Sequence, residues 1–296
     1  MCDEFTESEN REWLDLKVIS RRKLTAVGLG ATTMAMLSNC MAATPSGADM
    51  SDTGSRSVNI ETADGTADAF FAYPQTGTYP AIVMWPDVAG LRESYRIMGL
   101  QLARAGYAVL VVNHYYRTAK APIFDSFSEW RTEEGQARLK PMREALSPAA
   151  TSRDADAFIS WLDRQKEVDR AKHVGSCGYC MGGPFTFRTA GARPDRVGAI
   201  ASCHGAGLVT DTTDSPHLLM DKMKAAMLIA IAQNDDMREP DAKTILRDAA
   251  DKTGLPAEIE VYPAQHGWCT IDSPVYDKVQ AGKAWDRMLD TLAQHL

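Results

Sequence analysis

Cysteine is scarce in this sequence, with six in 296 residues. At positions 2, 40, 177, 180, 203 and 269 they are too few and too scattered for a disulfide-built scaffold. Positive charge is also in deficit: 32 Lys plus Arg face 39 Asp plus Glu, a formal net charge of −7. That balance excludes nucleic acid or an anionic membrane as a main partner, because both are held by a basic face. No His/Cys/Glu spacing reads as a metal site, and no internal repeat is present. What remains is ordinary. Hydrophobic residues make up 45% and charged residues 24%, which excludes disorder as the dominant state. The length suits one large domain or two small ones.

The first forty residues read as an address. Ser20-Arg21-Arg22-Lys23-Leu24-Thr25 is a twin-arginine pair, and residues 26–38 form a weakly apolar, uncharged stretch behind it. At thirteen residues that stretch is shorter than the roughly 20 needed to span a bilayer. It fits the central region of an export signal. Small residues at Cys40-Met41-Ala42-Ala43 suit cleavage, and a Pro/Ser/Gly/Asp-rich linker follows. Residues 1–42 therefore resemble a twin-arginine translocation signal, with 43–57 as linker and 58–296 as the folded domain. The competing readings are an amphipathic N-terminal helix and a lipoprotein cleavage box ending at Cys40. The export reading places the mature protein in the periplasm or outside the cell, after passage through the twin-arginine translocase.

From residue 58 onward, short apolar runs alternate with helical patterns. Residues 58–60 and 69–73 flank Asp64-Gly65, a hairpin signal. Near-continuous apolar runs at 81–85, 108–112, 173–177, 197–201, 227–231 and 259–262 suggest strands buried on both faces of a parallel sheet. Helical patterns occupy 94–105, 149–165, 182–190, 241–253 and 275–296. In the second of these, Ala155, Phe158, Ile159 and Leu162 form a sheet-facing stripe. The expected architecture is a single α/β domain, doubly wound around a mostly parallel sheet. Residues 115–148 read as a long irregular segment, of the kind that borders sites in such folds.

The chemistry gathers at three strand ends. Gly178-Tyr179-Cys180-Met181-Gly182, between a strand and a helix, is a nucleophile elbow with cysteine as nucleophile. Such a turn lifts Cys180 to a helix N-terminus, where the dipole favours thiolate and the Met181 N–H can meet a developing oxyanion. Cys177 and Cys180 also form a Cys-x-x-Cys spacing, so thiol–disulfide redox chemistry is the alternative function. His266, in Tyr262-Pro-Ala-Gln-His-Gly-Trp, follows the last strand and is placed to act as a base. Asp235 and Asp236 follow the strand at 227–231, where a carboxylate can orient the His266 ring; a turn or helix-cap aspartate is the plainer role for one of them. Nucleophile, acid, base is the chain order of α/β-hydrolases.

These motifs, with Trp85-Pro-Asp-Val-Ala-Gly-Leu-Arg and Ala232-Gln-Asn-Asp-Asp, resemble the dienelactone hydrolase (carboxymethylenebutenolidase) family over most of residues 58–296. The resemblance implies an α/β-hydrolase fold, Cys180 as nucleophile and His266 as base. Counting from Ala232 selects Asp235 as the acid and counting back from Pro240 selects Asp236, with the turn pattern favouring Asp235. It also implies Val88 as second oxyanion donor and Asp87, where the family carries Glu, as a neighbour of the resting thiol. Arg117 matches an arginine that holds a substrate carboxylate. The second such arginine falls at Thr270, so half of that clamp is missing. His204, after another strand, is placed to line the pocket. The implied activity is hydrolysis of a small ester or lactone, without metal or cofactor.

Overall fold

The computed structural model describes residues 52–296; the expected export signal at 1–42 and most of the expected linker lie outside the described residues. Its spine is an eight-stranded sheet in the order β1-β2-β4-β3-β5-β6-β7-β8. β1 (Thr53–Thr62) and β2 (Gly65–Pro74) form an antiparallel hairpin closed at Asp64-Gly65, and β2 runs antiparallel to β4 (Ala108–Val112). All other neighbours are parallel: β3 (Ala81–Trp85), β5 (Val174–Tyr179), β6 (Val197–Cys203), β7 (Ala226–Ala232) and β8 (Ala257–Tyr262). The expected folded domain began at residue 58, but β1 already pairs at Thr53. Residues 53–57 contain no aliphatic side chain; backbone pairing holds them at the sheet edge, and Arg56 adds an ion pair to Glu167 and lies over Phe71 and Tyr73.

Seven helices cover the sheet among the described residues: α1 (Glu93–Arg104), α2 (Glu133–Glu144), α3 (Pro148–Leu162), α4 (Gly182–Ala192), α5 (Gln233–Arg238), α6 (Ala242–Thr253) and α7 (Lys278–His295). The strand alternation sorts side chains into two cores. Ala81, Val83 and Trp85 of β3 and Leu110 of β4 join Phe158, Ile159 and Leu162 of α3, Phe187 of α4 and Leu246 of α6. Ile82, Met84, Val109 and Val111 point the other way, onto Met98 and Leu102 of α1 and Met288 and Leu292 of α7. The central strands β3 and β4 are apolar throughout because each of their faces has a helix layer to fill. At about 25 cal/mol per Å² of apolar surface removed from water, these two layers supply the main driving force for folding.

A third, smaller cluster has its own place. Val88, Ala89 and Tyr115 pack with Ile123, Phe124, Trp130, Leu139 and Met142, and Met181 leans on it. It belongs to the segment expected to be irregular, which instead contains a short 3-10 turn (Glu129–Arg131) and α2. Thr132 caps α2 by accepting the Gly135 N–H at 3.0 Å, with Glu133 and Glu134 in its first turn.

Because β3 to β8 are parallel, their carboxyl ends share one edge of the sheet, where ligands bind in open α/β folds. The segments leaving that edge carry Asp87 and Val88, His114 and Tyr115, Cys180, His204, Asp235 and His266.

Candidate active site

The turn from β5 into α4 has a shape that its residues force. Cys180 has a φ of +55°, in the left-handed region that few side chains adopt. A Cβ on Gly178 would strike the Gly182 carbonyl oxygen, and one on Gly182 would strike the carbonyl oxygen of Trp85. Only glycine fits at either position. The Cys180 N–H donates to the Cys203 carbonyl at 3.0 Å, and its own carbonyl accepts from the Gly183 N–H at 3.0 Å. The strained residue is thereby fixed between β6 and α4, with its thiol buried at the head of the helix.

His266 reaches that thiol from the loop after β8. Its backbone N–H donates to Asn234 Oδ1 at 2.8 Å, which locks the loop to α5. Its Nδ1 lies 2.6 Å from Asp235 Oδ2, and the ring makes a second hydrogen bond with the Cys180 side chain. Burial pulls the imidazole pKa down. The charges of Asp235 and Cys180, with their hydrogen bonds, outweigh it and raise the ring to about 10. A ring so held is a proton donor at neutral pH, in contact with the Cys180 side chain.

Of the two candidate acids, Asp235 is the one on His266. Asp236 turns away and binds Lys243 Nζ at 2.7 and 2.8 Å. The short helix α5 separates them: adjacent residues on a helix differ by about 100° in direction.

Met181 follows Cys180 at the elbow, and Val88 lies three residues past the end of β3, both against the third apolar cluster. Neither backbone N–H donates to an acceptor among the described residues, so both are available to an oxyanion. Tyr115 ties the two segments, its hydroxyl donating to the Val88 carbonyl at 2.8 Å and lying 3.8 Å from Met181 Sδ. The sequence reading missed Tyr115, although it stands two residues before Arg117.

Asp87 is fully buried, and its expected partner, the thiol, is not its main one. Both its carboxylate oxygens accept from Arg92, at 2.8 and 3.0 Å. Burial pushes its pKa up and Arg92 opposes this; with the nearby Cys180 and Asp272 charges, it stays above the usual carboxylate range. Arg117 is a correction. Its guanidinium holds Asp154 at 2.7 and 2.8 Å and Asp64 at 2.6 and 3.1 Å, and it stacks over Tyr116. It pins the β1–β2 hairpin to α3, and a substrate carboxylate would have to displace one of these partners.

His204, with a φ of +40°, is buried with its ring 4.9 Å from that of His266 and 5.1 Å from that of Trp268. Its ring nitrogens have no hydrogen-bond partner among the described residues. Burial, then the neighbouring His266, holds it well below the usual imidazole range and so neutral. It acts as a wall behind the base. His114, buried against Tyr115 and Phe185, is likewise neutral, pushed by burial to about 3.

The two cysteines of the Cys-x-x-Cys spacing lie in different surroundings. Cys177 lies on β5 inside the α1/α7 core with Cys203 and Cys269, where burial pushes its pKa far up. Cys180 lies past the turn, engaged with His266. All four cysteines among the described residues are free thiols.

Residues 67–296 match the model of the dienelactone hydrolase family. A Synechocystis sp. protein provisionally named carboxymethylenebutenolidase is 27% identical over 217 residues, which span 72% of this chain and 85% of that protein. A Yersinia pestis protein of the same provisional name is 26% identical over 233 residues, 77% of this chain and 83% of its own. Among solved structures, a Klebsiella pneumoniae protein provisionally named dienelactone hydrolase superposes with a TM-score of 0.71 at 23% identity, covering 82% of this chain and 99% of that one.

Proposed function

The chain belongs to the dienelactone hydrolase family and is a hydrolase of the ester and lactone type, and from this premise we propose that it works through a Cys180 thioester. The Cys180 thiolate attacks the carbonyl carbon, forming a C–S bond while the carbonyl oxygen becomes an oxyanion between the Val88 and Met181 N–H groups. His266 gives its proton to the leaving alcohol as the C–O bond breaks. It then takes a proton from water, which attacks the thioester, releases the acid and restores the thiolate. Asp235 holds the ring in the orientation that both steps need.

The observation that carries this reading is the chain of contacts from Asp235 through His266 to Cys180, on a left-handed residue at a helix head. The substrate is read as a neutral ester or lactone. The cluster next to Val88 and Met181 is apolar, and two arginines near this edge, Arg92 and Arg117, are closed by carboxylates. Burying an unpaired substrate carboxylate there is costly.

The test is a panel of paired activated esters, one neutral and one carrying a free carboxylate, on wild type, Cys180→Ala and His266→Ala. We expect turnover of the neutral member, abolished in both variants with the fold intact. Full turnover by Cys180→Ala overturns the assignment. We also propose export by the twin-arginine route; conversion of Arg21 and Arg22 to Lys would then trap the protein in the cytoplasm, and unchanged secretion would refute it.

A further inference from the structure

Beside the proposed triad lies a buried cation that none of its steps uses. Arg92, at the start of α1, is 1% exposed. Its Nη1 and Nη2 donate to the two Asp87 oxygens. Its Nε and Nη2 donate to the two Asp272 oxygens, at 2.7 Å each, and Nη1 also reaches the Gly90 carbonyl at 3.1 Å. The guanidinium lies over Tyr95 and Phe127, 5.0 and 5.3 Å from their ring centres. A planar fork can hold two carboxylates in this way; an ammonium cannot.

Those carboxylates belong to the two segments whose relation the chemistry depends on. Asp87 immediately precedes Val88, and its Oδ1 accepts the Ala89 N–H at 2.9 Å, shaping the turn that leaves the Val88 N–H free. Asp272 lies on the loop that carries His266. Position 270, where sequence counting sought an arginine, holds a threonine whose hydroxyl is 3.3 Å from Tyr95 Oη. That same Oη accepts the Asp87 N–H at 3.0 Å. The cation facing Asp87 therefore comes from position 92, and Asp272 closes it off from substrate.

We propose that Arg92 is a positioning residue. It ties the Val88 turn to the His266 loop and balances the Asp87 charge beside Cys180. This rests on the Cys180–His266–Asp235 reading. The titratable groups facing the cluster are Cys180, His266 with Asp235 behind it, Asp272 and Tyr95, with neutral His204 against His266. Removing the Arg92 charge while Asp87 stays ionised leaves that carboxylate unbalanced beside Cys180, so the field there becomes less positive and thiolate is disfavoured.

The experiment measures two quantities on the full chain: the pH midpoint of Cys180 alkylation by iodoacetamide, and kcat and KM on a neutral p-nitrophenyl ester. Arg92→Gln is expected to raise the midpoint by about one pH unit or more. Its kcat is expected to fall about 10²-fold with KM little changed, as when an oxyanion donor is misplaced. Arg92→Lys keeps the charge and loses the fork, so kcat falls while the midpoint holds. The double variant Asp87→Asn/Arg92→Gln removes both charges and returns the midpoint toward wild type. If Arg92→Gln does not fold, Asp272→Asn, altering a carboxylate that is 31% exposed, lowers kcat without raising the midpoint. A wild-type midpoint and kcat in Arg92→Gln, a loss confined to KM, or an unchanged kcat in Asp272→Asn overturns the proposal. Those results with Cys180 still essential refute only the role of Arg92; an active Cys180→Ala refutes the triad itself.

Discussion

His266 Nδ1 and Asp235 Oδ2 lie 2.6 Å apart, while the neighbouring Asp236 is turned to Lys243. The proposed mechanism needs the first contact and has no use for the second. Asp235→Asn is expected to lower kcat by about 10³–10⁴-fold, as loss of the orienting acid does elsewhere. Asp236→Asn is expected to leave kcat unchanged. Steady-state kinetics on a neutral ester checks both.

The same contact sets a pH dependence. Burial alone would lower the His266 pKa; Asp235 and Cys180 raise it to about 10. A folded value above the unfolded one, about 6.5, contributes stability that is complete below the unfolded value and is lost as pH rises through the folded one. The His266 ring resonances are expected to titrate near 10 by NMR, and to titrate lower in Asp235→Asn. A midpoint in the ordinary histidine range would contradict the ion-paired resting state.

Gly178→Ala tests the elbow as a steric device. The new Cβ meets the Gly182 carbonyl, a backbone atom that cannot swing aside. Overpacking of this kind costs about 1–3 kcal/mol, read as a lower urea midpoint. Activity falls as well, because the turn that presents Cys180 must open.

Arg117→Ala separates scaffold from substrate contact. Asp154 is buried, and breaking a buried pair costs about 3 kcal/mol or more. Thermal unfolding is expected at clearly lower temperature, with KM for a neutral ester unchanged below the transition. A raised KM for anionic esters alone would restore Arg117 as a substrate ligand.

Cys177→Ala checks the redox alternative. The side chain is core packing, so turnover is expected to persist with a stability loss of about 1 kcal/mol. Under native conditions iodoacetamide is expected to label Cys180 and spare Cys177. A disulfide between the two in protein from its native compartment would contradict the geometry.

Much of this was legible in the chain, and the misses have physical causes. The strands at 81–85 and 108–112 coincide with β3 and β4 because unbroken apolar runs have one use in a covered parallel sheet. Cys180 and His266 announced themselves through turn residues at fixed offsets. The helix α2 did not, because only Gly135, Leu139 and Met142 of it are buried and it carries Pro141 within it. β1 began early because backbone pairing holds a polar edge strand. Arg117 was misjudged and Arg92 passed over for a common reason. Their roles depend on Asp272, Asp64 and Asp154, which are distant in sequence, and spacing within one segment carries no sign of such partners.

The most direct measurement is rapid-quench intact-mass spectrometry of wild type with p-nitrophenyl acetate. One acetyl group is expected per chain, labile to hydroxylamine and mapped to Cys180, with His266→Ala failing to turn it over. Turnover with no acetyl adduct at Cys180, or an adduct at another residue that is kinetically competent, would contradict the account.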